Sequence, residues 1–197
     1  MTKIAVIPGD GIGKEVAKEG ALLLEELSEI RGLGLELRHF DYGADRYLKD
    51  GTTLPKEQIE EFRRDYRAIL FGAVGDPRVP DGRHAREILL ALRFELDLYV
   101  NLRPVKLWAD RFSPLKGKGM KEIDAVFCRE NTEGVYVDVG GTFKQGTPDE
   151  VAISEDLNTR KGVERICRAA LDYARQKGVK TVWMSDKSNA MRHAGGL

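Results

Sequence analysis

Three arginines stand near the ends of predicted elements: Arg93 late in a helix, Arg103 after a strand, and Arg129 at the end of another strand. Ligands of open α/β sheets bind at the carboxyl ends of strands, and a guanidinium group can grip a carboxylate with two parallel hydrogen bonds. Three converging arginines would therefore suit a di- or tricarboxylic acid. For any one of them taken alone, we favour the simpler interpretation of a solvated or surface-paired side chain.

Tyr136 and Lys187 are the candidates for proton transfer. Lys187 follows Asp186 at the end of a strand predicted over residues 181–185, and its pKa would fall if it were buried beside other cations. The competing interpretations are a tyrosine ring that packs on a strand and a salt bridge between Lys187 and Asp186. The residues alone leave both interpretations open.

The histidines and cysteines form no recognisable site in the sequence. His39, His84 and His193 have no metal-ligand spacing, and the two cysteines, Cys128 and Cys167, fall within strand and helix patterns typical of core positions. No helix that follows a strand carries a pair of aspartates four residues apart. We therefore predict no metal site within this chain.

A glycine-rich loop over residues 9–13 separates the first predicted strand from the first predicted helix. The dinucleotide fingerprint GxGxxG needs a glycine at its sixth position, where this chain has Lys14, and no GK[ST] of a P-loop follows. On these residues alone, a tight turn that needs glycine is favoured over a cofactor-binding loop.

The composition excludes several classes of function. The 197 residues include 32 Lys+Arg and 32 Asp+Glu, and 42% are hydrophobic. Such a chain can bury a core as one large domain or two small ones, while a net charge of zero gives no electrostatic basis for binding nucleic acid or an anionic membrane. The chain has no signal-peptide pattern and no apolar run of about 20 residues. We expect a cytoplasmic protein.

Apolar runs alternate with amphipathic stretches, which is typical of an α/β fold. Strands are predicted over 4–7, 35–40, 68–74, 98–105, 125–128 and 181–185, and helices up to residue 31 and over 55–66, 84–96 and 159–177. Two alternating stretches, VYVDV and EVAISED, predict a projecting β-hairpin between about 134 and 159. We predict an open, mostly parallel sheet with helices on both faces, and a second α/β domain with a β-hairpin arm, divided near residue 100.

Five short segments occur in one order: IPGDGIGKEV at 7–16, FGAVGDP at 71–77, DLYVNLRPVK at 97–106, RENTEGVY at 129–136 and DKSN at 186–189. Together they resemble the β-decarboxylating dehydrogenases, the family of isopropylmalate, isocitrate, homoisocitrate and tartrate or D-malate dehydrogenases. Any one segment could occur by chance, whereas five in register are highly specific. One departure is Lys14, which stands where proline is usual.

The resemblance implies an NAD(P)-dependent enzyme that oxidises a 2-hydroxy dicarboxylic acid and releases CO₂, with Mg²⁺ or Mn²⁺ as a further cofactor. By this resemblance, Arg93, Arg103 and Arg129 would bind the substrate carboxylates. Tyr136 would assist protonation of the enol at C3. Lys187 would help to deprotonate the C2 hydroxyl, reaching across a homodimer into the partner's site.

The resemblance also assigns the two predicted domains. Residues 1–99 would be the first half of a large cofactor-side domain, and residues 100–197 part of a smaller domain for dimerisation and substrate binding. The hairpin arm at about 134–159 would pair two subunits. The cofactor cleft would be lined by Ile12, Gly72, Ala73 and Val74.

The helix before Arg93 bears on the choice of substrate. Leu89 and Leu90 resemble the apolar pair that faces the isopropyl group in isopropylmalate dehydrogenases, and an isocitrate enzyme would place a serine there. The segments LYVNLRPVK, GTFKQGTPDEV and KSNAMRH resemble instead the tartrate or D-malate branch, and helix packing is the simpler role for two leucines. The favoured substrate is 3-isopropylmalate, an intermediate of leucine biosynthesis.

The family's metal ligands and adenosine-binding loop lie beyond DKSN. We therefore expect this chain to be the first part of a protein not far short of twice its length, inactive alone, or else a truncated relative that binds dicarboxylates without catalysis or acts in regulation. An anion or nucleic-acid binder is the least favoured class because the net charge is zero. NAD is the expected cofactor, with NADP as the alternative, and the residues separate neither the two nucleotides nor Mg²⁺ from Mn²⁺.

Overall fold

The computed structural model describes all 197 residues, and the chain folds into two compact units, Met1–Asp97 and Leu98–Leu197. The division lies close to residue 100, where the sequence predicts a boundary. The functions expected of the two units stay predictions.

The first unit is built on three parallel strands in the order β2-β1-β3: β1 (Thr2–Ile7), β2 (Leu35–His39) and β3 (Ala68–Phe71). β1 pairs with both neighbours, and its last three residues are fully buried. A short, continuous apolar run of this kind is typical of a parallel strand covered on both faces. The predicted parallel sheet is confirmed for this unit.

Helices lie on both faces of this sheet. They are α1 (Ile12–Arg31), α2 (Ala44–Asp50), α3 (Lys56–Asp65) and α4 (Arg83–Glu95). Because side chains alternate along a strand, Val6 and its neighbour Leu70 point to one face, where Leu70 lies close to Gly20 of α1. Ala5 and Ile7 point to the other face.

The core of the first unit lies between β1 and the helices α3 and α4. Its buried cluster consists of Ala5, Ile7, Tyr42, Leu54, Ile59, Phe62, Ile88 and Leu92. Phe40 meets Phe62 edge to face, with ring centroids 5.0 Å apart, an arrangement that aromatic pairs prefer. Ile88 and Leu92 are one helical turn apart, so both fix the same face of α4 to the core.

The first helix is buried through small residues. Its buried positions are Gly13, Ala17 and Ala21, spaced four residues apart on one face. Val16 and Leu23, which belong to the apolar pattern that predicts the helix, are 59% and 60% exposed. The apolar spacing thus predicts the helix correctly without identifying its buried face.

The seven-residue helix α2 is not predicted from the sequence. Its first backbone N–H, that of Ala44, donates to the carboxylate of Asp10, which is 34 residues away in the chain. A helix this short is marginal by itself, and a local pattern cannot show a cap that comes from so far away.

The second unit contains two antiparallel pairs: β4 (Val100–Lys106) with β5 (Asp124–Glu130), and β6 (Gly140–Phe143) with β7 (Val151–Ser154). The helix α5 (Arg160–Lys177) packs against β5. It begins at a Thr159 cap that accepts the N–H of Gly162 at 3.0 Å. No helix of the chain is long and apolar enough to cross a bilayer.

The predicted hairpin forms, but its first strand is displaced. The sequence predicts a strand over 135–139, whereas Val135–Val137 is a 3₁₀ turn between Gly134 and Asp138, both of which have positive φ. The strand begins instead at Gly140, where a Cβ would lie 2.1 Å from the carbonyl oxygen of Ile153. This glycine therefore marks a close approach between strands and not a turn.

The prediction of a strand over residues 181–185 is wrong. The segment forms no ladder with any strand, and Trp183 is 88% exposed. A β-strand needs a hydrogen-bonded neighbour, so β-propensity alone does not make this stretch a strand.

Candidate functional site

Two loops of the first unit pack together backbone to backbone. A Cβ on Gly13 would lie 2.4 Å from the carbonyl oxygen of Pro8, and one on Gly72 would lie 2.0 Å from the same oxygen. Gly9 has φ +72° and would place a Cβ 2.2 Å from the carbonyl oxygen of Ala73. Only glycine fits these positions. We call residues 9–13 and 72–75 the paired loops.

The carboxylate of Asp10 joins the paired loops to two helices. Its Oδ1 accepts the N–H of Ala44 at 2.6 Å, and its Oδ2 accepts the N–H of Gly75 at 2.8 Å. Nε2 of His84, in the first turn of α4, lies 2.8 Å from the same Oδ2. Because a carboxylate can only accept hydrogen bonds, Nε2 is the donor. We call Asp10 and His84 the buried clamp.

The buried clamp is shielded from solvent. Asp10 is 4% exposed and His84 is fully buried. Burial by itself raises the pKa of Asp10, but the hydrogen bonds from Ala44, Gly75 and His84 outweigh it and hold the pKa below its ordinary value of 3.8. Asp10 is therefore a carboxylate whenever the protein is near neutral pH. Nδ1 of His84 has no hydrogen-bond partner.

The buried clamp is the feature that the sequence reasoning missed. An aspartate between two glycines directly after a buried strand is a signal that could have drawn attention to Asp10. No local signal points to His84, since 74 residues separate the two partners.

The residues predicted to line the cofactor cleft lie in or beside the paired loops. The side chain of Ile12 is 67% exposed, and Ala73 is exposed next to the half-buried Gly72 and Val74. Gly11 faces open space. Exposed apolar atoms of Ile12 and Ala73 therefore lie beside the exposed backbone of Gly11.

The helix α4 holds the three predicted substrate residues of the first unit. Leu89, Leu90 and Arg93 are half-buried, while Ile88 and Leu92 of the same helix are buried in the core. The predicted residues thus lie beside the buried face of α4 and are not its main packing contacts.

The second unit brings three other predicted residues together. In the β4–β5 ladder, Asn101 lies opposite Arg129 and Arg103 lies opposite Phe127, so both arginines point to the same face. The Arg129 guanidinium lies over the ring of Tyr136, 5.1 Å from its centroid. Arg103 donates from Nε to Asn101 at 3.1 Å. The arrangement places two guanidinium groups on one face of the strand pair, with a phenol beside one of them.

Hydrogen bonds hold the turn between Arg129 and Tyr136. The Glu130 carboxylate accepts the N–H groups of Thr132 and Glu133 at 2.9 and 2.7 Å, and pairs with Arg165 at 3.2 Å. Burial raises the pKa of Glu130, but the hydrogen bonds with Thr132, Glu133 and Arg165 outweigh burial and lower the pKa.

Glu133 anchors the same turn to α5. Its carboxylate accepts the backbone N–H of Thr159 at 2.8 Å, immediately before the helix begins. A negative charge at a helix N-terminus is stabilised by the helix dipole. The turn that presents Tyr136 is therefore tied to a helix end by charge and hydrogen bonds.

Lys187 lies outside the strand pair that carries these groups. It is exposed, and its backbone N–H donates to the Asp186 carboxylate. The segment before it forms no ladder with β4 or β5. Its role in proton transfer stays a prediction, and a lysine that acts in a partner's site would need no contact with the cluster of its own chain.

The described residues do not offer a metal site. No group of three or more His, Cys, Asp or Glu side chains lies close enough together to hold an ion.

The chain belongs to the isocitrate/isopropylmalate dehydrogenase family, whose model matches residues 3–197. The predicted family is confirmed. The 3-isopropylmalate dehydrogenases of Thermobifida fusca and Bifidobacterium longum are 44% and 48% identical to it, over 195 and 196 residues. Each match covers 99% of this chain and 55% of the relative. The chain therefore spans about half the length of these relatives.

Solved structures give the same fold. Isocitrate dehydrogenase from Methylococcus capsulatus matches all of this chain and 54% of its own, with a TM-score of 0.82 and 32% identity. A β-decarboxylating dehydrogenase from Thermococcus kodakarensis matches 90% of this chain and 47% of its own, with a TM-score of 0.61 and 34% identity. The predicted α/β fold class is confirmed.

Proposed function

We propose that the full-length protein catalyses the NAD(P)-dependent oxidative decarboxylation of a 2-hydroxy dicarboxylic acid. The observation that carries this proposal is the cluster of the second unit, where Arg103 and Arg129 share one face and Arg129 lies over Tyr136. Guanidinium groups bind carboxylates with paired hydrogen bonds, and a tyrosine hydroxyl beside them can donate a proton. The names of relatives at 44% and 48% identity support the same reaction.

Each residue has one role in this proposal. The three arginines hold the substrate carboxylates. Lys187 accepts the proton of the C2 hydroxyl as hydride leaves C2, and the carboxylate on C3 then departs as CO₂, which leaves an enol. Tyr136 returns a proton to C3 of that enol. NAD, or alternatively NADP, supplies the hydride acceptor when bound, and Ile12 and Ala73 offer it an apolar surface.

We favour 3-isopropylmalate as the substrate, which would place the enzyme in leucine biosynthesis. Leu89 and Leu90 lie on α4 close to Arg93, where an isopropyl group could pack while the arginine binds a carboxylate. Tartrate, D-malate, homoisocitrate and isocitrate are the alternatives. The active form would be a cytoplasmic homodimer joined through the arm at about 134–159, with Lys187 reaching the partner's site.

Mg²⁺ or Mn²⁺ is the metal expected for this class of reaction. The residues of this chain do not by themselves fit such an ion, because no acidic or histidine cluster is close enough. We therefore assign the proton transfers to side chains of this chain and none to a metal ion.

The test is a substrate panel on the full-length protein. It is incubated with 3-isopropylmalate, D-malate, tartrate or isocitrate, with each cofactor and each metal, and reduced cofactor is followed by absorbance. We expect the highest kcat/KM for 3-isopropylmalate with NAD. Tyr136→Phe should lower kcat by about 10²-fold or more, whereas Tyr99→Phe, a matched tyrosine that packs on Arg165, should not. No reduction with any acid would overturn the proposal.

A further inference from the structure

We propose that Asp10 and His84 are positioning residues, which fix α4 and its substrate residues relative to the paired loops. This inference rests on the proposed function, which assigns Leu89, Leu90 and Arg93 to the substrate and the paired loops to the cofactor. Neither clamp residue would touch either molecule.

One carboxylate oxygen of Asp10 connects the paired loops to α4. Oδ2 of Asp10 accepts from Gly75, in one of the paired loops, and from His84, in the first turn of α4. Asp10 itself belongs to the other paired loop, so both loops and the start of α4 meet at one carboxylate. The His84 ring also stacks on Tyr47 of α2, with ring centroids 5.8 Å apart. Buried hydrogen bonds to a charged group are strong and leave little freedom of geometry.

The contacts of α4 separate positioning from folding. Ile88 and Leu92 pack in the core independently of the buried clamp. Without the His84 hydrogen bond the helix would keep this packing, but its first turn could shift against the paired loops. Arg93 lies nine residues beyond His84, or about 13 Å along the helix axis, so a tilt of α4 at its first turn would displace the Arg93 guanidinium and weaken its hydrogen bonds to a substrate carboxylate.

Two substitutions at His84 divide its possible roles. In His84→Gln the side-chain amide can still donate to Asp10, but the ring is lost. In His84→Phe the ring and its stacking on Tyr47 remain, but the donor is lost. If positioning depends on the hydrogen bond, His84→Phe should raise KM for 3-isopropylmalate about tenfold with a smaller change in kcat, and His84→Gln should stay within about threefold of the wild type.

The matched control is Ile88→Val. It removes one methyl group from the same helix in the core, so it should lower the Tm and leave KM unchanged. All variants are made in the full-length protein and tested with saturating NAD. Hydrogen exchange of the Gly75 amide and of the first turn of α4 reports the buried clamp directly, independently of catalysis. We expect faster exchange at these amides in His84→Phe and unchanged exchange in His84→Gln.

The outcomes are distinguishable. An equal rise in KM for Ile88→Val and His84→Phe would reduce the buried clamp to a stability element and overturn the inference. Poor function of His84→Gln with normal function of His84→Phe would assign the effect to the ring and overturn the role of the hydrogen bond. Unchanged amide hydrogen exchange in His84→Phe would show that the hydrogen bond from His84 does not restrain the paired loops or the first turn of α4, and would also overturn the inference. An inactive wild type would overturn the proposed function, and with it the positioning role, even if the exchange results stood.

Discussion

The two units of the chain hold their predicted site residues by different means. In the first unit α4 packs through Ile88 and Leu92 on a buried aromatic and aliphatic cluster. In the second unit, only Leu107 and Ala174 are buried among the hydrophobic side chains. There Arg129 and Tyr136 depend on hydrogen bonds and ion pairs along the turn between them. The first unit is thus organised by apolar burial and the second by polar contacts, which respond differently to mutation, pH and salt.

The largest expected effect tests the apolar core directly. Phe62→Ala removes a buried ring that Phe40 and Tyr66 both meet edge to face. The substitution should lower the free energy of unfolding by about 4 kcal/mol, because it deletes apolar contacts and leaves a cavity. The measurement is urea unfolding of the full-length protein.

The counterpart in the second unit is Phe127→Ala. Phe127 lies on β5 and is 60% exposed in this 197-residue chain, so in this chain its loss should lower the free energy of unfolding by about 1 kcal/mol or less. If the two substitutions had similar effects, the contrast between the units would be wrong.

The buried clamp is the exception in the first unit, because it is polar. Asp10→Asn should cost about 3 kcal/mol at neutral pH, since an amide cannot accept all the hydrogen bonds from Ala44, Gly75 and His84 that the carboxylate accepts. The folded pKa of Asp10 lies below 3.8. The contribution of the carboxylate is therefore complete above that ordinary value and is lost as the pH falls through the folded value.

The pH dependence provides the check. The difference in unfolding free energy between wild type and Asp10→Asn should be constant from neutral pH down to about pH 4 and should narrow only below it. A difference that already shrinks between pH 7 and pH 5 would mean that Asp10 is not held ionised by these contacts.

Much of the fold follows from local patterns, whereas long-range polar contacts do not. Apolar runs and glycine punctuation predict β1, β3, α4 and α5 because each is set by residues close in the chain. The strand predicted over 181–185 is wrong because a strand needs a hydrogen-bonded neighbour, which the local pattern cannot show. The strand predicted over 135–139 is wrong because two residues with positive φ, Gly134 and Asp138, interrupt the alternating pattern.

The same distinction applies to the candidate site. The pairing of Arg129 with Tyr136 spans seven residues, and the motif RENTEGVY predicts both. The contact between Asp10 and His84 spans 74 residues and depends on the packing of three segments that no local pattern relates.

Gly13 in the first unit packs against backbone atoms, whereas Gly162 in the second unit packs against a side chain, and alanine substitutions compare the two kinds of contact. Gly13→Ala would place its Cβ 2.4 Å from a backbone oxygen and 2.5 Å from a backbone nitrogen, so the paired loops must separate. We expect a loss of about 2 kcal/mol. The measurement is again urea unfolding, together with the kinetics of the full-length protein.

Gly162→Ala is the matched change in the second unit. Its Cβ would lie 2.2 Å from Oε2 of Glu133, the end of a flexible side chain. Glu133 can move aside only by losing the two hydrogen bonds that it accepts from the backbone N–H and the hydroxyl of Thr159, and the better helix propensity of alanine offsets part of that loss. The net change should therefore be below about 1 kcal/mol. A destabilisation as large as that of Gly13→Ala would show that Glu133 is rigidly held.

The smallest effect is expected at the surface of the first unit, where an ion-pair network joins α1, α2 and the segment that follows the paired loops. Lys14 and Arg78 both pair with Asp45 at 2.6 Å, and Arg78 also pairs with Asp76 at 2.7 Å. Lys14, Asp45 and Arg78 are exposed to solvent, where ion pairs contribute little and salt screens them, whereas the side chain of Asp76 is only 14% exposed. Arg78→Ala should therefore change the Tm only slightly, and the change should vanish at high salt.

Asp76 gives this prediction a sharper readout. Hydrogen bonds from the side chain and the backbone N–H of Arg78 lower the pKa of Asp76 to about 2. Arg78→Ala removes the guanidinium but keeps the backbone N–H, so the pKa measured by NMR titration should rise only part of the way toward 3.8. A large drop in Tm that persists at high salt would mean that this network contributes far more to stability than exposed ion pairs usually do.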